Sequence, residues 1–465
     1  MRVQEGMQIG VIGLGVAGIS TVRHLLRAKA LVRVSDMRSQ EQLAKVHPEL
    51  LSFLQDAGVQ CEFGAHSLSF LDGLDLLVAG PGVPLKVPLI IKAKELAIPV
   101  VGELALAAGM FQVPVIAVTG SNGKTTVTGL IGHLLHTAGK KPFVGGNIGT
   151  ALLDYFIDPN SYDAVVLELS SFQLDLAGEF RPDIGLWLNA SPDHIDRHGS
   201  FAAYCAAKAR LFAAQQEGDI AILGKDDPLV AKTALNAGVR RYEFGSSPGC
   251  EALVKQNVVC LHLTKEHEHC FSLADTKLNS SVNKQNAAAA VLAASLVGCS
   301  IEAIATGLRS FTPPPHRMAE VAVVDDVIFM NDSKATNIGA LAAALAGCQQ
   351  PVVLIAGGRD KGSDYTELQD VVRNKVRSLV LIGEAADLMN EALGAFVPVL
   401  RADSMEEAVL KAKKAALPGD MVLLSPGCAS FDMFSGYEAR GNSFAAAVVG
   451  LREKSAVSSL SKGGQ

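Results

Sequence analysis

Residues Val115–Thr126 read V-I-A-V-T-G-S-N-G-K-T-T. A run rich in β-branched residues feeds a glycine turn, and Lys124 followed by two threonines opens a helix. Successive backbone N–H groups and the helix N-terminus then converge on one concavity, which makes a phosphate cradle. In such a loop the lysine reaches the β- and γ-phosphates and the hydroxyl after it binds Mg²⁺. Gly120, Ser121, Asn122, Gly123, Lys124, Thr125 and Thr126 are therefore candidate ATP contacts, with Thr125 on the metal. Val118 stands where G-x-x-x-x-G-K-[ST] has its first glycine, so the formal pattern fails while strand, turn and helix survive.

Toward the N-terminus, Gln8–Gly18 reads Q-I-G-V-I-G-L-G-V-A-G, a short strand, then Gly13-x-Gly15-x-x-Gly18, then a helix expected through Leu26. A strand at Leu31–Val34 ends in Ser35-Asp36-Met37-Arg38, which puts an acid where a ribose ligand is expected. The fingerprint does not name its ligand. Nicotinamide or flavin is the usual reading, Arg38 would suit a 2′-phosphate, and a nucleotide-sugar is the rarer reading. Asp75–Pro88 supplies a second buried strand ending in a glycine-proline turn around Gly82, at the carboxyl ends of the same parallel strands. Gln112-Val-Pro114 reads as the linker into the phosphate loop.

Toward the C-terminus, Gly145-Gly-Asn147-Ile-Gly149 is a turn whose amide can hold a substrate. Tyr162–Phe172 places Glu168 late in an apolar strand, where a carboxylate is costly unless paired or metal-bound; with the loop nearby, Mg²⁺ is the natural partner. Leu186–His198 is a strand ending in a dense polar loop with Asp193, His194, Asp196, Arg197 and His198. The helix after it carries Lys208, expected from the sequence alone to be solvated. Asn283 and Asn286 open an alanine-rich helix on one face at i, i+3, where capping explains one and base recognition could explain the pair. Phe311-Thr-Pro-Pro-Pro-His316-Arg317 punctuates a second domain boundary. Beyond it, Glu320–Met330 reads as a hairpin, Asn337 caps a helix at Ile338–Ala346, and strands at Val352–Ile355, Ser378–Ile382 and Met421–Ser425 alternate with helices, which implies a parallel sheet. The tail from about Ser455 is expected to fray.

A chain of 465 residues exceeds one core, so two to four domains are expected. Its apolar runs are short of a membrane span and the N-terminus lacks a signal-peptide pattern, so a cytoplasmic location is expected. A net charge of −6 with mixed signs leaves no basic footprint for nucleic acid. Eight cysteines without a C-x-x-C pair argue for reduced thiols. Cys260, His262, His267, His269 and Cys270 crowd together, but in no spacing typical of zinc, and read as a solvent-facing hairpin.

T-G-S-N-G-K-T-T, E-L-S-S-F-Q-L, N-A-S-P-D-H-I-D-R-H, the Lys208 segment, P-H-R, N-D-S-K-A-T-N and S-P-G-C-A-S-F-D-M-F together resemble the Mur ligase family, in that family's order and over nearly the whole chain. The last two motifs most resemble its D-glutamate-adding branch. The resemblance implies an α/β protein of three domains: a Rossmann-like UDP-sugar-binding domain at 1–112, a central ATP-binding domain of P-loop type with a parallel sheet at 113–312, and a Rossmann-like amino-acid-binding domain at 313–465. It implies ATP-dependent amide formation between UDP-MurNAc-L-Ala and D-glutamate through an acyl phosphate. By the same resemblance Lys124, Glu168, His194 and Lys208 are catalytic. Thr125 and Glu168 hold one Mg²⁺, His194 a second near the acceptor carboxylate, and Lys208 is carbamylated. Asn283 and Asn286 read adenine, and Arg317 and Asp332 the phosphates and ribose. Lys334, Thr336, Lys361, Ser430 and Tyr437 surround D-glutamate. Val16, Ala17, Asp36, Arg38, Gly82, Asn147 and His194 face the UDP-sugar. The branch often carries Leu-Thr where this chain has Val16-Ala17, so a hydroxyl contact to the diphosphate is missing. A monomer is expected, with ligand residues split across Pro313–Pro315.

Overall fold

The structure is a computed structural model that describes residues 2–263 and 268–462, with side chains described as far as 453. The alternation of apolar strands and helices resolves into three sheets among these residues. By its contacts the chain forms two compact units, one of Met1–Asn189, Cys205–Phe271 and Ala287–Ser310, the other of Ala190–Tyr204, Ser272–Asn286 and Phe311–Gln465.

In the first unit, a five-stranded parallel sheet runs Gln60–Phe63, Leu31–Asp36, Gln8–Ile12, Leu76–Ala79, Val100–Val101. Its central strand is wholly apolar beyond Gln8 and fully buried from Ile9, as a strand covered by helices on both faces must be. After it the chain turns at Gly13 into the helix Val16–Arg27. Gly18 is required here, because a Cβ on it would lie 1.9 Å from the Gly13 carbonyl oxygen. The same unit holds a nine-stranded sheet in which Val115–Thr119 lies between Ile184–Trp187 and Ala164–Glu168, all parallel. Loops following these three neighbouring strands therefore meet at one edge, the place where open α/β sheets bind ligands.

At the far end of that sheet, Ala252–Lys255 pairs antiparallel with Val258–Leu261, and His269–Ser272 lies outermost. Reduced thiols are not found here: Cys260 and Cys270 form a disulfide. Neighbouring strands bring their Cα atoms to 4.1 Å, a closeness that a ten-residue separation in sequence does not reveal. Both sulfurs are thereby withdrawn from any metal site, and His267 lies outside the described residues. Cys61, Cys205, Cys250, Cys299, Cys348 and Cys428 are free thiols.

The second unit contains a six-stranded sheet, Ala319–Val324, Val327–Asn331, Met421–Leu424, Val352–Gly357, Val376–Ile382, Val399–Arg401. The first two strands form the expected antiparallel hairpin and the rest are parallel. Its turn is made by Asp325 (φ 47°) and Asp326 (φ 60°), the paired left-handed conformation that fits hairpin twist and that aspartate tolerates. The short strand Val399–Arg401 is not signalled by its polar surroundings. Apolar side chains cover both faces of the sheet. The last helix runs Tyr437–Lys462, past the fraying point expected near Ser455, since each residue added to an existing helix gains a hydrogen bond without a new nucleus. Among the described residues no helix is long and apolar enough to cross a membrane.

Candidate active site

The loop after Val115–Thr119 is held in shape by a residue of the adjacent strand end. Asn189 Oδ1 accepts from the Asn122 N–H at 2.8 Å, its Nδ2 donates to the Asn122 carbonyl at 3.1 Å, and its own carbonyl accepts from the Ser121 N–H at 3.0 Å. Gly123 sits in the left-handed region (φ 86°) directly before the helix Lys124–Thr137, so the chain can turn its amides inward. Lys124 Nζ lies over the loop, 2.8 Å from the Gly120 carbonyl oxygen and 3.0 Å from that of Ser121. Lys208 is not the solvated lysine expected from sequence. It is 1% exposed, and its Nζ donates to the same Gly120 carbonyl at 2.7 Å. Leu211 and Phe212, three and four residues on, are also buried, so Lys208 belongs to the inward face of its segment.

Glu168 ends its strand 2% exposed. Its Oε1 accepts from Asn147 Nδ2 at 2.8 Å, and its buried Oε2 has no hydrogen bond. A buried carboxylate oxygen left unbonded is expensive, and a hard divalent cation bound through oxygen would satisfy it. The residues present thus fit Mg²⁺, with Thr125 at the head of the neighbouring helix as the second donor.

The glycine fingerprint and the Gly82 turn enclose a cavity of about 550 Å³. Val16, Ala17, Asp36, Arg38, Gly82 and Asn147 all line it, so one cavity gathers six of the seven residues assigned to the UDP-sugar, and His194 is not among its lining residues. Asp36 differs from expectation in its engagement: it is 4% exposed and accepts from the Leu14 N–H at 2.6 Å and from Arg38 Nη2 at 2.7 Å. Burial alone would raise its carboxyl, but Arg38 and the Leu14 amide hold it below the usual range.

In the second unit, the turns after three adjacent strands, Val327–Asn331, Met421–Leu424 and Val352–Gly357, bring together Asp332, Lys334, Thr336, Ser430 and Lys361 at one sheet edge. Lys334 Nζ stands 3.7 Å from the centre of the Tyr437 ring, a cation–π contact. Lys361 Nζ lies 3.1 Å from Asp193 Oδ1, and Asn337 Nδ2 lies 3.1 Å from Asp193 Oδ2. Burial would raise the Asp193 carboxyl, yet Lys361, His194 and the Asn337 hydrogen bond together keep it lowered. His194 itself is in the left-handed region (φ 55°) and half-exposed, 3.7 Å from Asp193. Asn283 and Asn286 are buried on one face and joined by a 3.3 Å hydrogen bond; the capping hydroxyl is that of Ser280, which accepts from the Asn283 N–H.

Family models match the chain in three stretches: a MurD-like N-terminal domain of Mur ligases at 7–102, the Mur ligase middle domain at 118–294, and the Mur ligase glutamate ligase domain at 316–428. A UDP-N-acetylmuramoylalanine–D-glutamate ligase of Desulfotalea psychrophila is 44% identical over 95% of this chain and 96% of its own length. The chain belongs to the Mur ligase family. An enzyme of the same name from Syntrophotalea carbinolica is 39% identical over 97% of this chain and 99% of its own. Among solved structures, a MurF ligase from Thermotoga maritima in complex with ADP shares the fold at a TM-score of 0.57 and 17% identity, covering 97% of this chain and 95% of its own. A pseudomurein peptide ligase from Methanothermus fervidus does so at 0.57 and 18%, covering 91% and 97%.

Three residues at the candidate sites of this Mur ligase are not singled out by the sequence. Gln173 lines the N-terminal cavity while its Nε2 donates to the buried Glu103 at 2.7 Å; its signals are the E-L-S-S-F-Q-L motif and the S-S-F-Q capping-box spacing within it. His66 lines the same cavity, from a loop with no pattern of its own. Arg440 is 1% exposed, and its guanidinium donates to the carbonyls of Ser333, Cys428 and Ala429. It ties two turns of the candidate amino-acid site together, and burial pushes it down to about 10. Asp332 is buried as well, and burial raises its carboxyl to about 7 despite hydrogen bonds from Ser425 and the Met318 N–H. Because its folded pKa lies above the ordinary aspartate value of 3.8, the folded state binds the extra proton between those values, and stability falls as pH rises from about 4 to about 7. Asp332→Asn is expected to gain about 3 °C or more in Tm at pH 8 and little at pH 4. Thermal unfolding across that range checks it; an equal shift at both pH values would refute it.

Proposed function

We propose that this chain joins D-glutamate to UDP-N-acetylmuramoyl-L-alanine, converting ATP to ADP and phosphate. The reading rests on one observation above the rest: Lys124 on its cradle stands at the sheet edge beside the strand that ends in Glu168, a buried carboxylate with a free oxygen. The names of the similar D-glutamate ligases support the choice of amino acid. We also propose domain boundaries at 112/113 and 312/313, supported by the three sheets and the three family matches, and a monomer acting away from the membrane.

A carboxylate has no useful leaving group, so the L-alanyl carboxylate first attacks the γ-phosphorus of ATP and ADP departs. Lys124 and the loop amides stabilise charge on the transferring group. Thr125 and Glu168 would hold one Mg²⁺ and His194 a second, supplying charge neutralisation for the phosphates and the acceptor carboxylate. The D-glutamate amine then attacks the acyl phosphate, and the tetrahedral intermediate expels phosphate. Lys334, Thr336, Lys361 and Ser430 take the two carboxylates of D-glutamate, with Tyr437 beside them; the substrate carboxylate replaces Asp193 as the counter-charge of Lys361. Asn283 and Asn286 hold adenine, Arg317 and Asp332 the phosphates and ribose. Lys208 acts as its carbamate.

Phosphate release from ATP·Mg²⁺ with UDP-MurNAc-L-Ala tests this against D-Glu, L-Glu, L-Lys, meso-diaminopimelate and no amino acid. Release only with D-Glu is expected. Release with a different amino acid overturns the specificity, and none with any of them overturns the reaction.

A further inference from the structure

The outer edge of the nine-stranded sheet carries a second group of metal-binding side chains, six strand spacings and so roughly 30 Å from the phosphate loop. Cys260 and Cys270 face each other across the last two strands. His262 and Glu268 stand two residues further along each chain, and side chains two apart on an extended backbone lie on one face. The geometry agrees: His262 Nε2 is 3.3 Å from Glu268 Oε1, and a Glu268 oxygen and the two sulfurs all lie within 4.8 Å of one another. Sequence spacing hides this group because cross-strand register, not a C-x-x-C turn, brings it together.

The donor types select the metal. Two thiolates with an imidazole suit zinc, which takes four ligands in a tetrahedron, whereas Mg²⁺ demands oxygen. Ligands about 2.0–2.3 Å from one zinc stand about 3.3–3.8 Å apart, so the 3.3 Å gap between His262 and Glu268 already suits two of them. Two thiolates, a carboxylate and a neutral imidazole leave one negative charge around a bound Zn²⁺. Lys255, its Nζ 3.9 Å from Glu268 Oε1, stands where it offsets that charge.

Two thiolates on one zinc are too far apart to be bonded, so disulfide and metal exclude each other. In the oxidised chain the sulfurs are joined and the site is closed. A dithiol reductant opens it by exchange: one of its thiolates attacks the Sγ of Cys270, which is exposed, and Cys260 departs as thiolate. The second thiol of the reductant resolves the mixed disulfide. Two electrons and two protons thus pass to the cysteine pair, and the reductant leaves as its own disulfide. Zinc then takes both sulfurs as thiolates, and the two protons go to solvent. In either state the strand His269–Ser272 stays tied to Val258–Leu261, at a sheet edge otherwise open to pairing. We propose that Cys260, His262, Glu268 and Cys270 form a redox-gated zinc site, closed by the disulfide and opened by thiol reductants, separate from the ligase reaction.

Metal-free full chain is titrated with zinc against a chromogenic chelator, in excess Mg²⁺ so that the oxygen donors around Glu168 are not read. One sample is oxidised and the other reduced with a phosphine, which becomes its oxide and, unlike a dithiol, does not compete for zinc. The reduced chain should bind one equivalent with a Kd below about 1 μM, and the oxidised chain at least about 100-fold more weakly. Cobalt in place of zinc should give a thiolate-to-metal charge-transfer band in the near ultraviolet with the reduced chain alone. The double variant Cys260→Ser, Cys270→Ser should lose both the equivalent and the band under reduction. His262→Ala and Glu268→Gln should each weaken zinc at least about tenfold, since even the outer-shell partners of metal ligands are worth that much. Equal zinc affinity in the two redox states overturns the proposal, as does no binding by the reduced chain or an equivalent retained in the double variant. Unchanged affinity in His262→Ala and Glu268→Gln overturns the four-donor site. The redox comparison uses the unsubstituted chain, so a variant that fails to fold cannot imitate its result.

Discussion

Glu168→Gln is expected to lower phosphate release with all three substrates by about 10³-fold, because a catalytic metal supplies several kcal/mol and about 4 kcal/mol is a thousandfold in rate. The carboxylate sits on the last residue of a fully buried strand, held on one side by Asn147 and buried without a hydrogen bond on the other. Gln keeps the acceptor that Asn147 uses and loses only the charge a cation needs. Glu168→Asp keeps the charge but withdraws it by one methylene, and a misplacement of about 1 Å costs about 10²-fold. Binding gives a second readout: ATP·Mg²⁺ at 100 times its Kd should stabilise the native protein by about 2.7 kcal/mol, and much less of that gain should survive in Glu168→Gln. Activity within tenfold of native in that variant would remove Glu168 from the metal site.

Much of this site is written in short-range patterns. Val115–Thr126 announces strand, turn and helix because the cradle is largely local, its glycine turn and helix start lying within a dozen residues, with Asn189 and Lys208 bonded to it from afar. The Asp325-Asp326 hairpin and the Asn337 cap are legible for the same reason. Features that depend on what lies across a sheet are not. Lys208 reads as a surface residue until its segment is seen to turn the same face inward as Leu211 and Phe212. Cys260 and Cys270 read as separate thiols until strand pairing sets them side by side. Asp36 was found by position, but its saturation by Leu14 and Arg38 depends on where the glycine loop bends. Arg440, inside the last helix, belongs to no motif in the sequence. Its burial follows from the two turns that need a donor for the Ser333, Cys428 and Ala429 carbonyls, and no spacing in the sequence announces that need.

Lys208→Arg is expected to cost about 10³-fold in turnover although it preserves the charge and nearly the length of the side chain. Lys208 Nζ and Lys124 Nζ approach one and the same oxygen, the Gly120 carbonyl, at 2.7 and 2.8 Å. Two ammonium groups converging there, one of them on a side chain 1% exposed, repel each other in a medium that screens poorly. Loss of a proton from the Lys208 ammonium and addition of CO₂ to the free amine, with a second proton released to solvent, would turn this around: the nitrogen would keep one N–H, the side chain would become an anion, and its interaction with Lys124 would be attractive. Arginine cannot form that adduct, so its cation stays beside Lys124 and opposes the phosphates that Lys124 is there to bind. The adduct is reversible, which gives a test without mutation. Turnover of native protein equilibrated in CO₂-free buffer should fall at least about tenfold and return on addition of bicarbonate, while Lys208→Arg should respond to neither. A ¹³C signal from labelled bicarbonate, present in the native protein and missing from the variant, ties the response to this side chain. Native-like turnover in Lys208→Arg would show instead that the buried cation itself is what the site requires.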